Sequence, residues 1–270
     1  MASSPYKKPS GSKSAAKPLG NHQTSWIWGR HLVHETLQSR TWPILELWLA
    51  DDLPDSDVAT IRQLADAAAV SVHQAARHTL VSRCRGEDHQ GFAARMAEFP
   101  YQTAEKALAK VARWPLTVAL DRIQDPFNFG AMLRSAEIFD TAGIIIGTRE
   151  QCGVTSQVAR SSVGAVNRLP IARVPDLAAF LESVPATTAI VSASEKASTI
   201  ISDFDFCQPT LLVIGNEGRG ISDEVARYCR ASVRIPQQGT LNSLNAAAAL
   251  AIICYEARRQ QQMRDRTSGP

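Results

Sequence analysis

From residue 116 onward, short apolar runs alternate with helical ones, and this alternation constrains the fold more than any other feature of the 270-residue chain. Strand-like runs fall at 116–120, 143–147, 171–174, 188–192, 209–214 and 232–235. Helical patterns fall between them: one through Met132 to Phe139, then 156–167, 177–184, 222–229 and 244–259. Several of the strands are unbroken β-branched runs, the pattern of a parallel sheet covered by helices on both faces. A doubly wound α/β domain is therefore expected over 116–262, with a ligand beyond the carboxyl ends of its strands. The polar clusters of this region sit at those strand ends.

The length suggests a second, smaller unit. Residues 1–22 are rich in Ser, Pro, Gly and Lys and lack acidic residues, so they are expected to form a disordered basic tail. Residues 23–98 read as a small α/β unit: helix 29–39, strand 44–50, amphipathic helix 57–69 and short strand 70–73. A stretch with Arg83, Arg85, His89 and Phe92 follows, too rich in Arg, His and Gly to read as core. It reads either as a solvated loop or as guanidinium and imidazole donors facing RNA. Residues 99–115 form a linker, helical over 103–113 and stopped by Pro115, and a short tail, 263–270, ends the chain.

All six histidines lie in the first ninety residues, so the larger unit can hold neither a Ser-His-Asp triad nor a histidine metal site of its own. The five cysteines form no C-x-x-C pair, which points away from zinc and from a disulfide framework. No metal is expected. No apolar run reaches the roughly 18 to 20 residues that span a bilayer, and the first residues lack a secretory apolar core. No membrane association and a cytoplasmic location are expected. The net charge of +3 only weakly favours a polyanionic partner.

Three clusters carry the chemistry. The first, after the strand at 116–120, contains Asp125-Pro126, Asn128, Gly130 and Arg134. Asn128 could be a helix cap, and Arg134, set among Ala131, Met132, Leu133 and Ala136, is expected not to be simply solvated. The second is Gly215-Asn216-Glu217-Gly218-Arg219-Gly220, between a strand and a helix. It matches neither a phosphate-binding loop nor a dinucleotide fingerprint, and Glu217 would repel a pyrophosphate. A ligand with a positive centre or hydroxyl donors suits it better. The third runs from Arg234-Ile235-Pro236 to Ser243-Leu244-Asn245, before four alanines that permit close helix packing.

Together these clusters resemble the three motifs of the SpoU (TrmH-like) RNA ribose 2′-O-methyltransferases, members of the SPOUT class with a deep trefoil knot. The unit over 23–98, through Gly29-Arg30-His31-Leu32-Val33 and His89-Gln90-Gly91, resembles the L30e-like substrate-binding domain of the bacterial 23S rRNA guanosine enzymes. The resemblance implies S-adenosylmethionine as cofactor, 23S rRNA as RNA partner and a homodimer. It implies catalytic positions at Asn128, Arg134, Glu217, Ser243 and Asn245. Cofactor contacts are implied at Gly215, Asn216, Glu217, Gly218, Ile235, Ser243, Leu244 and Asn245, and RNA contacts at Arg30, Arg83, Arg85, His89 and Arg134. Gln237 departs from the pattern, since relatives often carry an apolar Met after the Ile-Pro pair. A tRNA guanosine or rRNA adenosine target, or a non-catalytic ribosome-assembly role, are the rival readings.

Methyl transfer from a sulfonium needs no metal, because its leaving group departs neutral. The enzyme has to align donor and acceptor and make a ribose hydroxyl nucleophilic. The resemblance points to Arg134 for that activation. An arginine remains protonated in proteins, so Arg134 is expected to clamp phosphate or ribose and stabilise developing alkoxide.

Overall fold

The computed structural model describes residues 26–110, 112–240 and 243–267. The tail expected to be disordered, 1–22, lies outside them. The first unit comprises β1 (Trp26–Trp28), α1 (Arg30–Ser39), β2 (Ile44–Ala50), α2 (Asp55–Ala67), β3 (Ser71–Ala75), α3 (Arg77–Cys84) and β4 (Phe92–Met96). Among the described residues its sheet has the order β1-β4-β2-β3, with only β2 and β3 parallel. The polar stretch after residue 76 departs from expectation. It is a helix followed by a turn, and Cys84, His89, Gly91 and Phe92 are buried. Leu80 and Cys84, four apart on α3, pack on the sheet face formed by Trp26 of β1 and Ala93 of β4, so local polarity concealed an apolar stripe.

The expected helical linker is helical only over α4 (Ala104–Leu108), capped by the Thr103 hydroxyl. Its flank joins the second unit: the Gln102 N–H donates to the Ile171 carbonyl at 2.8 Å, and a Cβ on Gly143 would collide with Ala107. The second unit contains β5 (Leu116–Asp121), α5 (Pro126–Ile138), β6 (Ile144–Ile146), α6 (Ser156–Ser161), a 3-10 turn (Ala165–Asn167), β7 (Ile171–Arg173) and α7 (Leu177–Ser183). It continues with β8 (Ala189–Ala193), β9 (Thr199–Ile200), β10 (Thr210–Gly215), α8 (Asp223–Ala226), β11 (Ala231–Arg234) and α9 (Ala246–Thr267). Among the described residues the strands form a parallel sheet of order β7-β6-β5-β10-β8-β11-β9. Every residue of β5 and β10 is buried, as the unbroken apolar runs require. From β5 the chain moves outward through β6 and β7, then returns on the other side. The β5–β10 pair therefore sits where strand order reverses, the place for a ligand crevice.

One apolar core runs through both units, joining Ile27, Leu37 and Trp42 to Val118, Phe129 and Val166. Polar contacts reinforce the seam. Asn167 Nδ2 donates to Thr36 Oγ1 at 2.9 Å, and Arg168 pairs with the buried Glu35 at 2.6 Å. The single helix expected over 156–167 is broken to admit Glu35: Val163 and Gly164 take φ of 51° and 86°, and a Cβ on Gly164 would overlap the Glu35 carboxylate. At the other end of the seam, Arg160 lies 4.1 Å over the Trp28 ring and pairs with Asp88. The Trp28 indole N–H, then the Arg160 charge, hold the Asp88 carboxyl below its ordinary value.

Candidate active site

The first two polar clusters begin at adjacent points because Asp121 and Gly215 are register partners at the ends of β5 and β10. Beyond Gly215 the chain folds back sharply. Asn216 and Gly220 exchange backbone hydrogen bonds of 3.0 and 2.8 Å, and Gly220 has φ of 70°. A Cβ on Gly215 would strike the backbone at Gly220 and Ile221, so the turn closes only over glycine. Asn216 Oδ1 accepts the Gly218 and Arg219 N–H groups at 3.0 and 3.1 Å, and its Nδ2 donates to the Arg122 carbonyl at 2.9 Å. The turn is thereby locked to the first cluster with Glu217 at its exposed tip. Buried Asp121, which the sequence did not single out, accepts the Ser222 N–H at 2.6 Å and anchors the other end.

Helix α5 is capped by Asp125, whose Oδ1 accepts from the N–H groups of Phe127 and Asn128 at 2.6 and 3.2 Å. Asn128 is thus not the cap, and its side chain is available for other contacts. Its Nδ2 donates to Glu217 Oε1 at 2.7 Å, while its Oδ1 accepts from Asn245 Nδ2 at 2.9 Å. Asn245 in turn caps α9, its Oδ1 accepting from Ala247 and Ala248 at 2.9 and 3.2 Å. This cap fixes the orientation of the whole relay. With the Asn245 oxygen committed to the helix, only its nitrogen can face Asn128, so the Asn128 oxygen must face Asn245 and its nitrogen Glu217. Residues from all three clusters meet in this one chain of bonds.

Beside the relay lies a cleft of about 740 Å³. Of the residues expected to touch cofactor, Gly215, Asn216, Glu217, Gly218, Ile235, Ser243 and Leu244 line it, as does Gln237. Asn245 does not, being turned to Asn128. Apolar Ile214, Ile221 and Ile253 contribute to its walls, together with acidic Glu195 and basic Lys196, Arg219 and Arg234. Glu195 and Lys196 follow β8 in a loop without a motif, so no sequence signal marked them. The size is within the roughly 300–1,000 Å³ of small-molecule pockets. Charges of both signs beside apolar walls fit a zwitterionic ligand with a planar ring.

A family profile described as the SpoU rRNA methylase family matches residues 115–255, which include the relay and the cleft. The chain belongs to this family. A second profile, RNA 2′-O ribose methyltransferase substrate binding, matches residues 26–102. A Bacillus subtilis protein named for the TrmH family of tRNA/rRNA methyltransferases is 30% identical over 245 residues, 89% of this chain and 98% of that one. Among solved structures, the SpoU methyltransferase AviRb from Streptomyces viridochromogenes, in complex with AdoMet, has TM-score 0.76 and 28% identity over 89% of this chain and 91% of its own. An AdoMet-bound rRNA methyltransferase from Sinorhizobium meliloti has TM-score 0.75 and 27% identity, covering 88% of this chain and 87% of its own.

The remaining site residues of this SpoU methylase are placed as follows. Ser243 is exposed at the cleft beside the start of α9. Arg134 is exposed and, among the described residues, has no ion-pair or hydrogen-bond partner, so its guanidinium is open to a ligand. The face it occupies explains this: Phe127, Ala131, Arg134 and Ile138 recur at helical spacing on α5, and Phe127 and Ile138 are each 61% exposed. Of the expected RNA contacts, Arg30 and Arg85 are exposed. Arg83 is half-buried, its guanidinium 3.7 Å over the Trp48 ring, so packing holds it. His89 is corrected: only 2% exposed, it accepts the Gly91 N–H at Nδ1 over 3.0 Å and staples the turn from inside. Burial, then the Arg77 charge, lower its pKa. Among the described residues no His, Cys, Asp or Glu cluster is arranged to hold a metal, and no helix is long and apolar enough to cross a membrane.

Proposed function

We propose that this protein transfers the methyl group of S-adenosylmethionine to a ribose 2′-hydroxyl of RNA, at a guanosine of 23S rRNA. The Asn245–Asn128–Glu217 relay at the edge of the cleft carries this reading, because it couples the cofactor wall to the start of α5. The AdoMet complexes of two relatives favour the same cofactor. Residues 215–218, Ile235, Ser243 and Leu244 would hold it, with Glu217 or Glu195 toward its positive groups and Lys196 or Arg234 toward its carboxylate. When bound it supplies an activated methyl group whose departure leaves a neutral thioether.

The chain's own residues do the rest. Two amides orient the Glu217 carboxylate: Asn128 Nδ2 at 2.7 Å on Oε1 and Asn216 Nδ2 at 3.4 Å on Oε2. So held, it can align the ribose or the donor without rotating. Arg134, permanently charged, fixes the RNA phosphate or ribose and stabilises alkoxide as the hydroxyl proton leaves to phosphate, water or carboxylate. Residues 23–98 form the substrate-binding unit and 116–262 the methyltransferase unit, whose C-terminal segment is knotted as in the SPOUT class. The working form is a homodimer. Phe127 and Ile138 of α5 are each 61% exposed and Tyr255 and Met263 of α9 56% and 55%, with Tyr255 against Phe139 where the two helices meet, and exposed apolar side chains on paired helices suit an interface. A second copy docked there meets Arg134. An rRNA substrate places the protein in the cytoplasm.

Incubation with methyl-labelled S-adenosylmethionine and separated rRNA and tRNA pools tests the reading. Label in 23S rRNA is expected. Label only in tRNA overturns the substrate, and no label together with no calorimetric cofactor binding makes the protein a non-catalytic RNA binder.

A further inference from the structure

The first unit contains a second cleft, of about 390 Å³, between α1 and α2 and away from the relay. Ile61 and Phe92, almost wholly buried, form an apolar floor, and Arg30, His31, His34 and Gln90 surround it with polar groups. Arg30 leans across to Asp57, Nη2 to Oδ1 at 2.7 Å, which anchors the guanidinium and leaves its other N–H donors for a ligand. The cleft opens at the start of α1. There Gly29, with φ of 100°, supplies no side-chain cap, and the first turn has no acidic residue. Gln90 Oε1 takes the Arg30 N–H at 3.0 Å, and the positive end of the helix faces the same opening.

An apolar floor, two imidazoles and a guanidinium are the groups that meet an unstacked base and its phosphate. The rings and floor accept a π face, and the guanidinium and helix start accept the anion. A ligand with only one of these parts would leave half the cleft unused. The cleft is also connected to the methyltransferase unit by contacts at each step. His31 lies 3.7 Å from Glu35, Glu35 pairs with Arg168 at 2.6 Å, and Arg168 reaches Glu137 at 3.3 Å. Glu137 is one helical turn beyond Arg134 on α5. The cleft therefore stands at a fixed position relative to the arginine proposed to grip the target.

We propose that the α1–α2 cleft binds one extruded nucleotide of the RNA substrate, with its base against the His31 and His34 rings above the Ile61–Phe92 floor and its phosphate at Arg30 and the start of α1. This rests on the RNA methyltransferase reading above, and assigns the substrate-binding unit a nucleotide pocket rather than only a charged surface. Thr60, exposed at the rim on α2, allows a test that leaves the core intact: Thr60→Trp fills the cleft.

The full-length protein is titrated with AMP, GMP, CMP and UMP in turn, and with inorganic phosphate. The imidazole proton resonances of His31 and His34, assigned from His31→Ala and His34→Ala variants, are followed by NMR. At least one nucleotide is expected to shift both resonances at concentrations where phosphate does not, and Thr60→Trp to abolish the response. Thr60→Trp and His34→Ala are further expected to raise the KM for RNA about tenfold, the loss of one stacked base, with kcat and cofactor affinity unchanged. No shift with any nucleotide overturns the proposal, as does an equal shift with phosphate alone, which leaves a mere anion site. Nucleotide binding by a protein that methylates no RNA supports the cleft and overturns the methyltransferase reading instead.

Discussion

The Asn128 amide donates to Glu217 across 2.7 Å, joining residues 89 apart in sequence at the edge of the large cleft. Its oxygen is at the same time held by Asn245, so the amide cannot turn over without breaking both bonds. Asn128→Asp replaces the donor with a second carboxylate facing Glu217. A hydrogen bond to a charged group is worth about 1.5–3 kcal/mol, so turnover is expected to fall about 10- to 100-fold. Asn128 is only half-buried, and the denaturant midpoint is expected to change little. Single-turnover methylation beside urea unfolding separates the two effects.

Arg134 presents a charged fork on an otherwise apolar stripe of α5. Arg134→Lys retains the charge and loses the planar pair of donors. Turnover is expected to drop about a hundredfold with RNA affinity retained, the scale of losing one oriented donor at a transition state. Near-normal turnover with a displaced pH profile would instead indicate a true base at this position.

The apolar face of α5 and α9 is expected to bury itself against a second copy. Tyr255→Asp places a charge where a ring now lies 6.2 Å from Phe139. Light scattering is expected to report a dimer for the natural chain and a monomer for the variant, with methyl transfer lost alongside. A natural chain that is monomeric at micromolar concentration would contradict the homodimer.

His89 gives stability a pH dependence on the acid side of neutral. Burial lowers its folded pKa below the ordinary 6.5, and the Gly91 N–H needs its Nδ1 unprotonated. The unfolded chain thus binds a proton more readily than the folded one. The contribution of His89 to stability is complete above 6.5 and is lost as pH falls through the lower folded value. Urea unfolding at about pH 7.5 and about pH 5 should show less stability at the acid pH, and His89→Gln should flatten that difference.

The parallel sheet and the two polar loops at its strand ends were readable because their signals are local. Runs of mostly apolar residues marked β5 and β10, and in the loop around Glu217 the turn that closes on its own backbone requires Gly215, with Gly220 at positive φ. What escaped depends on distant partners. The segment 77–92 reads as a polar loop, solvated or facing RNA, until the sheet it covers is known, since Leu80, Cys84 and His89 are buried by contacts far from their own sequence neighbours. The helix break at Gly164 follows from Glu35, on the other unit. That Arg134 shares its exposed side of α5 with Phe127 and Ile138 follows from which helix face the core covers, and its own neighbours in sequence do not reveal that. Asn128 could be a cap by its position alone, but Asp125, three residues earlier, holds that place and leaves the Asn128 amide to the relay.

The most direct test joins the relay to its product. RNA methylated by the purified protein, digested to nucleosides and analysed by mass spectrometry, should contain a 2′-O-methylated nucleoside from 23S rRNA. Glu217→Ala and Asn128→Ala should each lower its yield at least about tenfold, the loss of a hydrogen bond to a charged group, while leaving RNA binding intact. A methyl group found on a base, or an undiminished ribose product from both variants, would contradict the assignment of this site.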